Sequence, residues 1–251
     1  MYLNDNPWSL TGRGFMYQSI KTRGRAASDH YAGTQDYFNL SPAGLTLLDA
    51  LKPFVRQYCR GSVLDVGAGR GAYKSLLEES TASYLGMDMS ARNTTDVVGD
   101  IQALPFSDES FDTVFCSQVL EHVPDHQAGI LEIHRILKPG GCFIMSVPHI
   151  SWLHNEPHDY FRFTKYGLRV LFAREGWEVE NIVPAGGLFS LLGHVVSTML
   201  INSTFRIPLL HPLARCVNKL VVGGAVILDR VLEKKKIFAL NYVAVCRKKK
   251  Q

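Results

Sequence analysis

The nine residues Val63 to Gly71, VLDVGAGRG, decide how the chain is read. Val63-Leu64-Asp65-Val66 is an apolar run of the length and β-branched character of a buried parallel strand. Gly67, Gly69 and Gly71 follow at intervals of two, which predicts a tight turn into a helix where backbone approaches a ligand closely. Such a turn is a nucleotide cradle. Gly67-x-Gly69-x-x-Ala72 also fits the dinucleotide fingerprint, so the glycines alone leave NAD and other adenosine cofactors open.

Outward from the turn, strand and helix patterns alternate. Strands are predicted at Ser62–Val66, Ser83–Met87, Asp96–Val98, Phe111–Ser117, Cys142–Val147, Trp177–Val183 and Phe238–Cys246. Helices are expected over residues 71–79, over 127–137 up to the stop Lys138-Pro139-Gly140-Gly141, and from a Thr164 cap to Glu175, with Gly176 beyond. Upstream, Ser41-Pro42 is a helix start, and Leu45, Leu48, Leu51 and Val55 recur at helical spacing, with Pro53 as a point of bending. Regular alternation of this kind makes the fold α/β, a mostly parallel sheet with helices on both faces. Residues 1–40 show no sustained period and read as an irregular arm with a basic patch at Lys21, Arg23 and Arg25. Three units follow: an arm and helix (1–60), a core domain (61–183 with 237–251) and an insertion (184–236).

At 251 residues the chain is long enough to bury one full α/β core. The net charge of +4 hides an asymmetry. Residues 61–183 carry nine basic against seventeen acidic side chains, whereas 184–236 carry seven against two and 237–251 four against none. The basic additions suit an anionic partner, such as a membrane surface, a phosphorylated substrate or nucleic acid, or form a solvated surface. Five scattered cysteines without a C-x-x-C pair argue against a zinc site or a disulfide scaffold and for a reducing compartment. The opening MYLNDNPWSL lacks the pattern of a signal peptide, so the expectation is a cytoplasmic protein, with peripheral contact at the inner face of a membrane as the elaboration.

Asp88 ends the second strand about twenty residues beyond the glycine turn, where a carboxylate accepts hydrogen bonds from ribose hydroxyls; Asp100 follows the third, near an adenine edge. Four segments in order, VLDVGAGRG (63–71), YLGMD (84–88), GDIQALPFSDESFDTVFCSQVLEHVPD (99–125) and EIHRILKPGGCFIMSVP (132–148), resemble the class I S-adenosylmethionine-dependent methyltransferases, in particular those of type 11. The resemblance covers residues 60–183 and the closing strand. It implies a Rossmann-like seven-stranded sheet with an antiparallel last strand, and S-adenosyl-L-methionine in place of NAD. Carried over, Asp65, Gly67, Ala68 and Gly69 would line the methionine part, Asp88 with Met89 beside it the ribose, Asp100 and Ile101 the adenine, and Gln118 the cofactor's amino-acid end near the substrate. Glu121-His122 is expected to shape the loop over the cofactor before it does chemistry.

A shorter stretch, PHDYFRFT (157–164), resembles methyltransferases of bacterial cell-surface glycan and lipid biosynthesis. In HISWLHNEPHDYFRFT (149–164), His158 beside Asp159 is the candidate general base for a hydroxyl acceptor. The alternative is that both cap the next helix or bond to the loop backbone. His149, His154 and His158 with Glu156 and Asp159 lack a defined ligand spacing, so no metal is expected.

Between Pro184 and Lys236, Gly187–Ile201 and Leu220–Leu228 are apolar, and Lys234-Lys235-Lys236 follows. Neither run has the roughly twenty apolar residues of a spanning helix. The segment reads either as a helical hairpin in a bilayer interface or as a helical lid packed on the domain or on a second subunit, leaving from the sheet edge that binds ligands. The expected activity is methyl transfer to a small-molecule acceptor, with O-methylation of a lipid, lipid-linked sugar or glycan favoured; oligomer formation stays open. The alternatives are a nucleic-acid methyltransferase or binding module using the basic arm and tail, and a non-catalytic cofactor-binding protein. An N-P-P-[YFW] motif is absent, which weakens the nucleic-acid reading.

Overall fold

The computed structural model describes residues 13–32, 34, 36–173 and 176–250, with side chains from Thr22 onward. Its elements in chain order are α1 (Arg13–Tyr31), α2 (Asp36–Asn39), α3 (Pro42–Tyr58), β1 (Ser62–Val66), α4 (Lys74–Glu78), β2 (Ser83–Asp88), β3 (Val97–Val98) and β4 (Phe111–Ser117). A 3-10 turn (Leu120–His122), α5 (His126–Ile136), β5 (Leu137–Pro148), α6 (Lys165–Phe172), β6 (Trp177–Ala185), α7 (Leu188–Thr204), α8 (Leu210–Leu232) and β7 (Asn241–Lys248) follow. The seven strands form one sheet of order β3-β2-β1-β4-β5-β7-β6. β1 to β5 pair in parallel, and β7 runs antiparallel to both β5 and β6.

Each face of the sheet buries an apolar layer. On one, Leu47, Leu51 and Val55 of α3 and Leu77 of α4 meet Val63, Phe115, Ile144, Val243 and Val245. On the other, Ile130, Ile133 and Ile136 of α5 and Leu168 and Phe172 of α6 meet Leu64, Val114, Phe143 and Ala244. Alternation along the strands sends successive side chains to opposite layers, as the apolar runs require of a sheet buried on both faces. Ser41, Asp125 and Thr164 cap α3, α5 and α6 by accepting from the backbone N–H three residues on.

Several elements depart from the sequence reading; β7 is shifted to Asn241–Lys248 from the expected Phe238–Cys246, α4 shortens to Lys74–Glu78, and three further differences are larger. The expected irregular arm is a helix over Arg13–Tyr31; the first twelve residues lie outside those described. Its helical state rests on tertiary contact. Ala27 and Tyr31 pack with Ile201 and Phe205, the Arg23 guanidinium donates to the Ser203 carbonyl, and Tyr31 meets His211. Among its described side chains Ala27 and Tyr31 are the buried ones, too few to show a period. In α3 the fully packed stripe is Leu47, Leu51 and Val55, with Leu45 and Leu48 only half-buried. The Lys138-Pro139-Gly140-Gly141 stop does end α5, yet the chain enters β5 at Leu137 through a register shift opposite Phe111/Thr113, Lys138 pairing with Asp112 at 2.8 Å.

α7 and α8 form an antiparallel hairpin outside α3, with α1 against α7. Its two ends are fastened together: the Asp229 carboxylate of α8 accepts from the backbone N–H groups of Phe189 and Ser190 at 2.8 and 3.0 Å, and Glu233 accepts from Leu188. These are the orphan donors at the start of α7. Among the described residues no helix is long and apolar enough to cross a membrane.

Candidate active site

The glycine turn folds back on β2. Gly67 and Ala68 donate their N–H groups to the Met87 carbonyl at 2.8 and 3.0 Å, and the Thr94 hydroxyl donates to the Gly69 carbonyl at 2.7 Å. Gly67 has φ +75°, and a Cβ there would lie 2.3 Å from Val119 Cγ2, so only glycine lets the turn approach the segment after β4. Asp88 Oδ2 accepts from Gly69 N and Oδ1 from Ser90 N, both at 3.0 Å, which aims the carboxylate along the cradle rim. Met89 beside it is exposed. Asp65 is buried beneath the turn and accepts from the Tyr84 hydroxyl at 3.0 Å. Burial pushes its carboxyl up to about 7; the Tyr84 bond opposes that rise and the nearby Asp88 charge adds to it.

Asp100 is tied to Gln102, accepting from its backbone N–H at 2.9 Å. Ile101 turns its side chain into the core against Gly129, leaving backbone as what it can present to a ligand. The loop around them is braced by Glu132, which accepts from Leu104 N and pairs with Arg135. Gln118, at the mouth of β4, holds a left-handed backbone (φ +58°), a conformation that costs a non-glycine residue energy and concentrates at functional positions. Its amide donates to Ser146 Oγ at 3.2 Å. The donors and carboxylates expected to meet a cofactor thus share one rim. Asp88 and Asp100 make that rim acidic, with Asp65 buried beneath it, and Arg70, the cation within the turn, is drawn off to Asp29 of α1 at 2.9 Å. An acidic rim suits a sulfonium-bearing nucleoside and opposes a pyrophosphate.

The loop after β5 closes the other side. The Arg162 guanidinium grips Asp159 at 2.6 and 2.7 Å and, against the cost of burial, holds its carboxyl down to about 2. Asp159 also accepts from His154 N at 2.8 Å. His158 is exposed, with Nδ1 3.0 Å from the Tyr160 hydroxyl. The two residues paired in the sequence reading are therefore not partners: Asp159 belongs to Arg162 and His154, and His158 to Tyr160. Glu121, fully buried, accepts at its backbone carbonyl from Tyr160 and Phe161, so this loop is stitched to the turn after β4. His122 Nε2 and His154 Nε2 lie 3.7 and 3.8 Å from Glu121 Oε1. That convergence joins residues 33 positions apart, and adjacency in sequence carried no sign of it.

A cavity of about 250 Å³ lies between α1, the start of α3 and α7, with Tyr37, Phe38, Tyr73, His194 and Ser197 among its walls. The Tyr73 hydroxyl bonds Ser117, which pairs with Ser146 at 2.7 Å, so one hydrogen-bonded path leads from this cavity to the mouths of β4 and β5. His194 of α7 stacks face to face on Trp152 of the β5 loop, centroids 4.4 Å apart. Burial pulls its imidazole down to about 4, which keeps it neutral. The insertion thus reaches the ligand edge of the sheet.

An open sheet of this strand order with a reversed seventh strand, and a glycine cradle at the carboxyl ends of β1 and β2 rimmed by carboxylates, defines the class I methyltransferase fold. Residues 64–145, about a third of the chain, match the model of the type 11 methyltransferase domain, whose cofactor is S-adenosyl-L-methionine. Demethylmenaquinone methyltransferase of Staphylococcus aureus is 33% identical over 136 residues, 47% of this chain and 56% of that protein. Malonyl-[acyl-carrier protein] O-methyltransferase 1 of Coxiella burnetii is 38% identical over 91 residues, 34% of this chain and 32% of that protein. The chain spans about half the length of the first of these and a third of the second. The solved S-adenosylmethionine-dependent methyltransferase of Mesorhizobium loti shares the fold at a TM-score of 0.53 and 15% identity, over 80% of this chain and 97% of that one.

Proposed function

We propose that the protein transfers the methyl group of S-adenosyl-L-methionine to an oxygen of a lipid or lipid-linked acceptor, taken up at a membrane surface. The observation that carries this reading is the outer face of α8. Leu213, Leu220, Ile227 and Val231 are each about 60 to 80% exposed and recur at intervals of seven, seven and four, so they form one stripe along a helix about 34 Å long. Leu192, Val196 and Met199 extend the apolar surface onto α7. Exposed Lys234 and Lys235 stand at one end of the hairpin and Arg206 at the other, while the acidic Asp229 and Glu233 are turned inward as caps. An apolar stripe flanked by cations is the signature of a helix lying in an anionic interface, each basic residue adding about 1 kcal/mol. The same α7 lines the cavity, so an acceptor leaving the bilayer would have a short route to the cradle.

When bound, the cofactor supplies a methyl already activated on sulfonium, so the chain's contribution is placement. Asp88 and Asp100 hold the nucleoside, Asp65 and the Gln118 region its amino-acid end, and the 149–164 loop the acceptor. In the tautomer whose Nδ1–H donates to the Tyr160 oxygen, His158 would offer Nε2 to take the acceptor's hydroxyl proton. Asp159 and Arg162 fix the loop that presents it. The relatives named above act on demethylmenaquinone and on a malonyl-acyl carrier protein, which is consistent with an acceptor of this size and character.

The test is transfer of isotope-labelled methyl from S-adenosyl-L-methionine to a membrane lipid extract and, in parallel, to a water-soluble metabolite pool and to RNA. Label in the organic phase is expected. Label confined to the aqueous pool or to RNA overturns the acceptor class, and no label in any fraction overturns the activity. His158→Ala should lower kcat by about 100-fold or more with cofactor affinity kept; an unchanged kcat removes His158 from the chemistry.

A further inference from the structure

We propose that Glu121, His122 and His154 form a binding site for one divalent transition-metal ion, of which zinc is the simplest representative. Their donor atoms lie within 4.8 Å of one another. Glu121 is completely buried, yet among the described residues neither carboxylate oxygen has a hydrogen-bond partner. A buried carboxylate left without hydrogen-bond donors is costly, and such charges are ordinarily paired or bound to a metal.

The two imidazoles show what completes it. His122 Nδ1 bonds the His158 carbonyl, an acceptor, so this nitrogen carries its proton. His154 Nδ1 faces two acceptors, the Trp152 carbonyl at 3.3 Å and Asp159 Oδ2 at 3.5 Å, and one donor, the Arg162 guanidinium, at 3.5 Å. With Nδ1–H donating to its nearest carbonyl, each neutral ring presents a lone pair at Nε2 turned toward Glu121 Oε1, that of His122 with the Asn155 amide 3.5 Å away. Lone pairs converge on a carboxylate favourably only around a cation. One proton would pair a single imidazolium with Glu121 and leave the other lone pair against the carboxylate, and two would make a pair of imidazolium rings with centroids 4.8 Å apart; a single ion satisfies all three groups at once. A histidine whose second nitrogen is bonded to a carbonyl or carboxylate is the ordinary arrangement around a protein metal.

Bonds of about 2.0 to 2.2 Å to a tetrahedral ion put its ligands roughly 3.4 Å apart. The Glu–His separations of 3.7 and 3.8 Å need a few tenths of an ångström of closure, and the widest separation in the group, up to 4.8 Å, needs about 1.4 Å of side-chain movement. Two imidazoles and one carboxylate suit a borderline ion such as zinc over magnesium or calcium, which demand oxygen. Three protein ligands also leave a coordination position open, and the partly exposed His122 and His154 keep that side in reach of solvent. On the methyltransferase reading given above, that position would hold and acidify an acceptor oxygen. The histidine and carboxylate cluster of the 149–164 loop supplies only one of the three ligands; the other two come from the turn after β4.

The site is tested on the full chain stripped with EDTA and titrated with Co²⁺, without cofactor or acceptor. One equivalent should bind with visible d–d absorption of a low-coordinate site, and Zn²⁺ should displace it. Glu121→Gln and His154→Ala should each weaken binding by about 100-fold or more, with circular dichroism confirming the fold; His154 is a third exposed, so its variant serves if the buried one unfolds. Absence of stoichiometric binding, or equal binding by His154→Ala, overturns the proposal. The readout is independent of methyl transfer: cobalt binding without labelled product would sink the activity alone, and labelled product without cobalt binding would sink the metal site alone.

Discussion

The membrane reading of the hairpin makes a quantitative prediction through Leu213, Leu220 and Ile227. Replacing all three with Gln removes the middle of the α8 stripe without touching its buried face, where Ala214, Asn218, Val222 and Ala225 pack inward. Full burial of one such side chain is worth about 1.5–3 kcal/mol. Exposures of 63, 78 and 59% mean about two-thirds of that is still available to a bilayer. Three residues offer about 4 kcal/mol, and shallow insertion would realise between half and all of it, about 2–4 kcal/mol. At 1.4 kcal/mol per tenfold, the partition coefficient should fall roughly 30- to 700-fold. The assay is co-sedimentation with vesicles containing phosphatidylglycerol, beside light scattering to follow the oligomeric state. Because the three side chains face solvent, the unfolding free energy should stay within about 0.5 kcal/mol of the parent. Parent protein that remains in the supernatant at every lipid concentration refutes the reasoning. So does a parent dimer that the triple substitution converts to monomer while vesicle binding is unchanged, since the stripe would then be a subunit interface.

Two further outcomes follow from the cradle and the hairpin. Asp65, pushed up to about 7 by burial, should bind the cationic cofactor in its ionised form. Affinity should therefore fall about tenfold per unit as pH drops below that value, as calorimetry between pH 5.5 and 7.5 would record, and Asp65→Asn should flatten this acid limb. The sign for the free protein is opposite: a carboxyl whose folded value is raised stabilises the fold as pH falls from about 7 toward the unfolded value near 4. Asp229→Ala leaves two backbone donors at the start of α7 without their acceptor and should cost about 2–4 kcal/mol, read as a lowered Tm; a loss under 0.5 kcal/mol would mean that the clasp between the hairpin's ends contributes nothing.

The sheet was legible because its signals are local. Strands β1 and β4 were placed to the residue, and β2 and β3 to within one, since an apolar run buried on both faces needs no partner to be recognised. Asp88 and the glycines were legible for the same reason: the turn, its positive φ values and the carboxylate twenty residues on belong to one supersecondary unit. What escaped depends on contacts between distant segments. The helix over Arg13–Tyr31 forms because Gly24, Ala27 and Tyr31 fit against α7, and a Cβ at Gly24 would meet Asn202 at 2.4 Å. Nothing within the arm announces that. His158 and Asp159 are adjacent in the chain, yet His158 closes a turn by donating its N–H to the Asn155 carbonyl, and Arg162, three positions beyond Asp159, took the carboxylate instead. The convergence of Glu121, His122 and His154 needed the β4 and β5 edges brought side by side.

The bond between Arg70 and Asp29 ties the glycine turn to α1. Arg70 sits inside the glycine turn, and its partner belongs to α1, which lies against α7. Both side chains are about half exposed, so the pair is worth about 1 kcal/mol at most. A pair that weak can break on thermal motion without disturbing the sheet. Because the same helix packs on the hairpin, one continuous run of contacts joins the glycine turn, α1 and α7, with a weak ion pair as its last link.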